Sequence, residues 1–154
     1  MVQTKAIQVC LAGIGGICRD HNKRFICCFS AGVGRNHAIT AEVLAIRQAL
    51  ITARSMNFYN LVIESDNLTA INLLWGKTQS KPWRISNLLA DCLQLARFFN
   101  EVSFQHNFRE ANAVADLLAS DAATSQSPLM LRLSPSTCLS CHLYDNCTGS
   151  VFLR

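Results

Sequence analysis

The chain has 154 residues, half of them hydrophobic and 16 % charged, with a formal net charge of +4. That composition excludes a disordered polyelectrolyte and fits one domain able to bury a core. Mild basicity allows a polyanionic partner without requiring one. No apolar run approaches the roughly 18 residues of a spanning helix, and no leader pattern opens the chain, so an intracellular protein with reduced thiols is expected.

In chain order, Gly13 to Arg19 and Phe25 to Ala31 are short apolar runs separated by Asp20-His-Asn-Lys-Arg, the pattern of a β-hairpin. A helix is predicted over about 38–56, with Asn36 or Thr40 as its cap. Leu61 to Ser65 is a β-rich run ending at Asp66, and Leu68 to Trp75 is a short helix stopped by Gly76. Pro82 opens a further helix that carries Leu88, Leu89, Cys92, Leu95 and Phe99 at helical spacing, with Phe98 assigned to the same core stripe. Val102 to His106 alternates as a strand, and residues 111–123 form the last helix. Beyond Thr124 the composition shifts to Ser, Pro, Thr and Cys. The expected division is a domain over 1–124 and a low-order tail over 125–154, with one short strand near Val151. This order of elements implies a mixed α/β layer with helices packed on a sheet.

Three carboxylates stand out by position. Glu42 lies in the first turns of the long helix, Asp66 at the carboxyl end of a buried strand, and Asp116 in the last helix. Acids gathered at one sheet edge repel one another and favour a hard cation between them. Mg²⁺ or Mn²⁺ takes oxygen ligands, and two such ions about 4 Å apart can drive phosphodiester hydrolysis. The plain alternative is three solvated acids, each favoured near a helix start or on the surface. Cys138, Cys141, His142 and Cys147 are an incomplete and irregular zinc set, read as free thiols. Gly13-Ile-Gly-Gly precedes no helix and is no phosphate loop.

The segments Thr40 to Ala45, Val62 to Asp66 and Phe104 to Ala119 resemble the ribonuclease H type 1 family, most closely its plant branch related to non-LTR retrotransposons. The stretch from His106 through Arg109, Glu110 and Asn112 to Asp116 is the most specific part. Gly13 to Asn22 and the pair Pro82-Trp83 match the same branch, so the resemblance covers about 12–124. It implies a five-stranded mixed sheet of order 3-2-1-4-5 flanked by helices, and hydrolysis of the RNA strand of RNA–DNA hybrids with two divalent metals. It makes Glu42, Asp66 and Asp116 metal ligands and His106 a proton-moving catalytic residue. It places Asn36, Arg109, Asn112, Trp83 and Arg84 at the substrate, read by groove shape rather than base sequence. A monomer without membrane attachment is expected.

One part of the pattern is absent. The family's first strand ends in an Asp-Gly pair about a dozen residues before the Gly-Ile-Gly run, yet no Asp or Glu occurs before Asp20. The first strand is therefore expected to be truncated or replaced, with Lys5 to Leu11 as the substitute, and the two-metal site to be incomplete. Impaired hydrolysis follows, and the alternatives are an inactive nucleic-acid-binding module or a truncated retrotransposon-derived product.

Overall fold

A computed structural model of the chain describes residues 10–108, 113–134 and 151–153. The hairpin pairs β1 (Cys10–Arg19) with β2 (Phe25–Asn36) in antiparallel register from Cys10 opposite Asn36 to Arg19 opposite Phe25. Its turn is held by the Asp20 carboxylate, which accepts from the backbone N–H groups of Asn22 (2.8 Å) and Arg24 (2.9 Å). The strands are longer than the apolar runs that signal them, because Cys10 and Leu11 beyond one run pair with Asn36 and Arg35 beyond the other.

Helix α1 (Ala38–Ser55) follows at once. Its cap is neither Asn36 nor Thr40. His37 occupies the cap position without a side-chain bond, Asn36 donates to the Val33 carbonyl (2.6 Å), and Thr40 lies inside the helix. Strand β3 (Asn60–Ser65) is followed by α2 (Leu68–Leu74), capped by Asn67, whose side chain accepts from Ala70 N–H. Gly76 ends that turn at φ +68°, a conformation glycine adopts without a Cβ penalty. A 3₁₀ turn over Trp83–Ile85 leads into α3 (Ser86–Ala96), and β4 (Glu101–His106) pairs in parallel with β3. Helix α4 (Ala113–Ser125) and the strands β5 (Met130–Arg132) and β6 (Val151–Leu153) complete the described elements.

The sheet has the order β4-β3-β6-β1-β2-β5. Among the described residues it has six strands, one more than expected, and two of them come from the segment beyond Thr124. β5 lengthens the β2 edge, with Ser30 opposite Met130. β6 lies at the centre, parallel to β1 through Cys18 opposite Val151 and antiparallel to β3 through Leu61 opposite Leu153. The described end of the expected substitute strand does something else: Cys10 and Leu11 begin β1 and face Asn36 and Arg35. The central place falls to Val151–Leu153, the short strand expected in this region, whose β-branched and aromatic residues suit a sheet.

Two faces of the sheet are covered. One holds the main core, where Phe29, Val43, Leu50, Leu61, Ile63 and Leu89 pack from β2, α1, β3 and α3. The other holds Ile17, Cys28, Val114 and Leu118 beneath α4. Helix α4 sits very close to β1. A Cβ at Gly15 would stand 2.6 Å from the Ala115 carbonyl oxygen, and one at Gly13 would collide with the Ala119 carbonyl. Gln126 then staples the end of α4 to both hairpin strands. Its Oε1 accepts from Gly34 N–H (2.9 Å) and its Nε2 donates to the Ala12 carbonyl (3.2 Å).

Cys18, Cys27, Cys28 and Cys92 are buried free thiols, while Cys10 is exposed. Burial pushes the Cys92 thiol up to about 12. Cys18 donates a hydrogen bond to Cys27, which raises Cys18 well above the ordinary thiol range and lowers Cys27. Phe98 is a correction: it is exposed, with the Arg54 guanidinium 3.6 Å above its ring, whereas Phe99 is buried. The tail residues Cys138, Cys141, His142 and Cys147 lie outside the described residues.

Candidate functional site

The elements that carry the three acids converge on one cleft. It is lined by Gly15 and Gly16 of β1, Glu42 of α1, Ser65 of β3 and Ala115 of α4. The glycines let α4 approach, and this brings Ala115, and so the first turn holding Asp116, to the cleft. Glu42 accepts a long hydrogen bond from the Ser65 hydroxyl (3.4 Å), and the same hydroxyl accepts from Asn67 N–H (3.1 Å). Ser65 thus links the long helix to the turn that presents Asp66.

His106 ends β4 opposite Ser65 in the parallel ladder. Its Nε2 lies 3.2 Å from the Asp66 carbonyl oxygen, and since a carbonyl only accepts, that nitrogen carries the proton in this contact. The ring also meets Phe108 edge to face at 5.9 Å. Asn107 adds two ties, from its N–H to the Ser65 carbonyl (2.9 Å) and from its side chain to the Glu64 carboxylate (3.0 Å). Sequence patterns missed Glu64, Ser65 and Asn107 as supports. Only the pairing of two strands some forty residues apart brings them together.

The donor set was expected to hold two divalent ions. Among the described residues, however, no three of His, Cys, Asp or Glu come together closely enough to hold a metal ion. Glu42 and the turn bearing Asp66 are joined through Ser65, and Asp116 follows the cleft-lining Ala115 in the first turn of α4. The central strand adds no acid, since Val151, Phe152 and Leu153 carry none. Among the described residues, then, no complete two-metal centre is assembled.

A second feature lies beside the start of α1. His37, Pro82, Trp83 and Arg84 line an open groove. Trp83 is 80 % exposed, so it is no core residue. Arg84 holds its guanidinium 5.5 Å from the Trp83 ring and donates to His37 Nε2 (2.6 Å). A guanidinium only donates, so this nitrogen of His37 accepts. Neither His37 nor its link to Arg84, 47 residues away, is signalled by any local pattern. Asn36 lies one residue before His37, turned inward to the Val33 carbonyl. Arg109 and Asn112 lie outside the described residues.

The chain matches the family described as reverse transcriptase-like over residues 7–122. Its fold is similar to that of ribonuclease H1 from Halobacterium salinarum, at TM-score 0.74 and 20 % identity, covering 79 % of this chain and 92 % of that one. It is also similar to LC11 ribonuclease H1 solved in complex with an RNA/DNA hybrid, at TM-score 0.67 and 18 % identity, covering 77 % and 98 %. The N-terminal ribonuclease H domain of a Mycobacterium tuberculosis protein matches at TM-score 0.61 and 18 % identity, covering 79 % and 96 %. No curated protein sequence matches the chain. Among the described residues, no helix is long and apolar enough to cross a membrane.

Proposed function

This chain belongs to the reverse transcriptase-like family, and on that premise we propose that it is a ribonuclease-H-type domain that binds nucleic acid, RNA–DNA hybrid first, with hydrolysis of the RNA strand strongly impaired. The observation that carries the reading is the central strand. The place at which the expected order puts an acid-bearing first strand is held by Val151–Leu153, which bring no carboxylate to the cleft. Glu42, Asp66 and Asp116 then stand as an incomplete set, and His106 has a proton carrier's chemistry without a full site to serve.

Binding asks for different parts, and these are supported by geometry. Trp83 offers an open π-face, and Arg84 lies beside it with its guanidinium oriented by His37. An aromatic platform next to a fixed cation suits a nucleic-acid backbone and a sugar or base face. The positive net charge adds a long-range attraction. The structurally similar LC11 ribonuclease H1 holds an RNA/DNA hybrid. Asn36, Arg109 and Asn112 are proposed as further backbone contacts.

The test is equilibrium binding of a short labelled hybrid across a salt series. Affinity is expected to fall linearly on a log–log plot as phosphate contacts release counterions. Trp83→Ala together with Arg84→Ala should weaken binding while the fold persists, because both side chains are exposed. Hybrid binding that ignores both salt and this double substitution would contradict the proposal.

A further inference from the structure

At the opposite end of α1 from Glu42, the hairpin and the helix end bring three sulfur-bearing side chains together. Cys18 of β1 and Cys27 of β2 face each other directly across the ladder, beside the register shift between Cys18 and Arg19. Their thiols are joined by a hydrogen bond. The Cys27 sulfur lies 3.5 Å from the thioether sulfur of Met56, the residue that caps α1. Both cysteines are fully buried, and Met56 is half-buried at the helix end, which gives the cluster one side towards solvent. Fourteen residues of helix, about 21 Å at 1.5 Å each, separate it from Glu42, so it is no part of the acidic cleft.

We propose that Cys18, Cys27 and Met56 form a binding site for a soft monovalent cation, copper(I) being the representative. Three sulfurs around one ion at about 2.3 Å stand about 4 Å from one another, and those of Cys27 and Met56 are already 3.5 Å apart. The donor type selects the ion. Thiolate and thioether sulfur suit copper(I), while zinc wants four ligands drawn from thiolate, imidazole and carboxylate. No described group of three His, Cys, Asp or Glu meets that demand. Charge selects it as well. A monovalent ion that displaces one thiol proton to solvent leaves a neutral core of one thiolate, one thiol and one thioether, which avoids an unpaired buried charge. No oxidant or reductant is involved. Met56 is the telling member: a pair of opposed cysteines alone is suited to a disulfide, but a thioether cannot join one.

The probe is copper(I), added anaerobically to the reduced full chain in competition with a bathocuproine chelator. Cys138, Cys141 and Cys147 are replaced by Ser so that their thiols do not compete. One tight equivalent is expected, with sulfur-only scattering in X-ray absorption. Met56→Leu keeps side-chain volume and should keep the fold by circular dichroism, yet lower the affinity by more than about tenfold. Cys18→Ala should abolish the tight equivalent. Copper held equally well by Met56→Leu, or no equivalent retained against the chelator, would overturn the proposal. So would a reduced protein that binds no copper and merely forms a Cys18–Cys27 disulfide in air.

Discussion

Gly15 and Trp83 show two opposite ways in which a single side chain matters here. Gly15 has no room: any Cβ meets the backbone of α4 at 2.6 Å. Gly15→Ala should therefore lower the unfolding free energy by about 1–3 kcal/mol, read as a shift of the urea midpoint. Trp83 has nothing above it, so Trp83→Ala should leave that midpoint unchanged while weakening hybrid binding by about 1–3 kcal/mol, the scale of one lost stacking contact. Cys92 supplies a pH dependence. Its thiol is neutral when buried and its folded value, about 12, exceeds the ordinary 9.0. The stability it contributes is complete below 9.0 and is lost as pH climbs towards 12, because the unfolded thiol ionises first. Denaturation curves across that range should show a shallower alkaline decline in Cys92→Ala than in the parent chain. At this scale the placement of Glu42 early in a long helix and of Asp66 just after a buried strand leaves a local trace in the sequence. Their supports leave none. Ser65 and Asn107 acquire meaning only through the β3–β4 ladder, and His37 only through Arg84.

Among the elements, periodicity located the hairpin, α1, β3, α2 and β4 to within a few residues, because each buries one apolar face or run. The errors lie where tertiary context decides. Phe98 and Phe99 are equally apolar, and only the end of α3 at Ala96 turns one out under Arg54 and the other in. β5 is three residues long, too short for a period, in a stretch whose composition reads as loop, and the short strand expected near Val151 gives no local sign of its central place. β6 is the element with most at stake. Phe152 faces Arg19 of β1 on one side and Val62 of β3 on the other. Phe152→Pro removes a backbone donor from the middle of the sheet and should cost about 3 kcal/mol or more. Leu131→Pro lies in β5 at the sheet edge and should cost less. Thermal unfolding of the two variants side by side checks the order, and equal losses would remove β6 from its central place.

At the scale of the whole molecule, sheet order and helix packing bring Glu42 and the neighbours of Asp66 and Asp116, Ser65 and Ala115, to one cleft, and no described group of three His, Cys, Asp or Glu forms a metal-holding cluster. The groove beside Trp83 needs no such cluster, so the proposed function separates binding from hydrolysis. The most direct measurement is a single-turnover assay on a labelled RNA–DNA hybrid at saturating protein with Mg²⁺ or Mn²⁺, run in parallel for the parent chain and Asp66→Asn. The account predicts that both proteins retain the hybrid and that the parent cuts its RNA strand scarcely faster than Asp66→Asn. Rapid cleavage by the parent, abolished in Asp66→Asn, would contradict it.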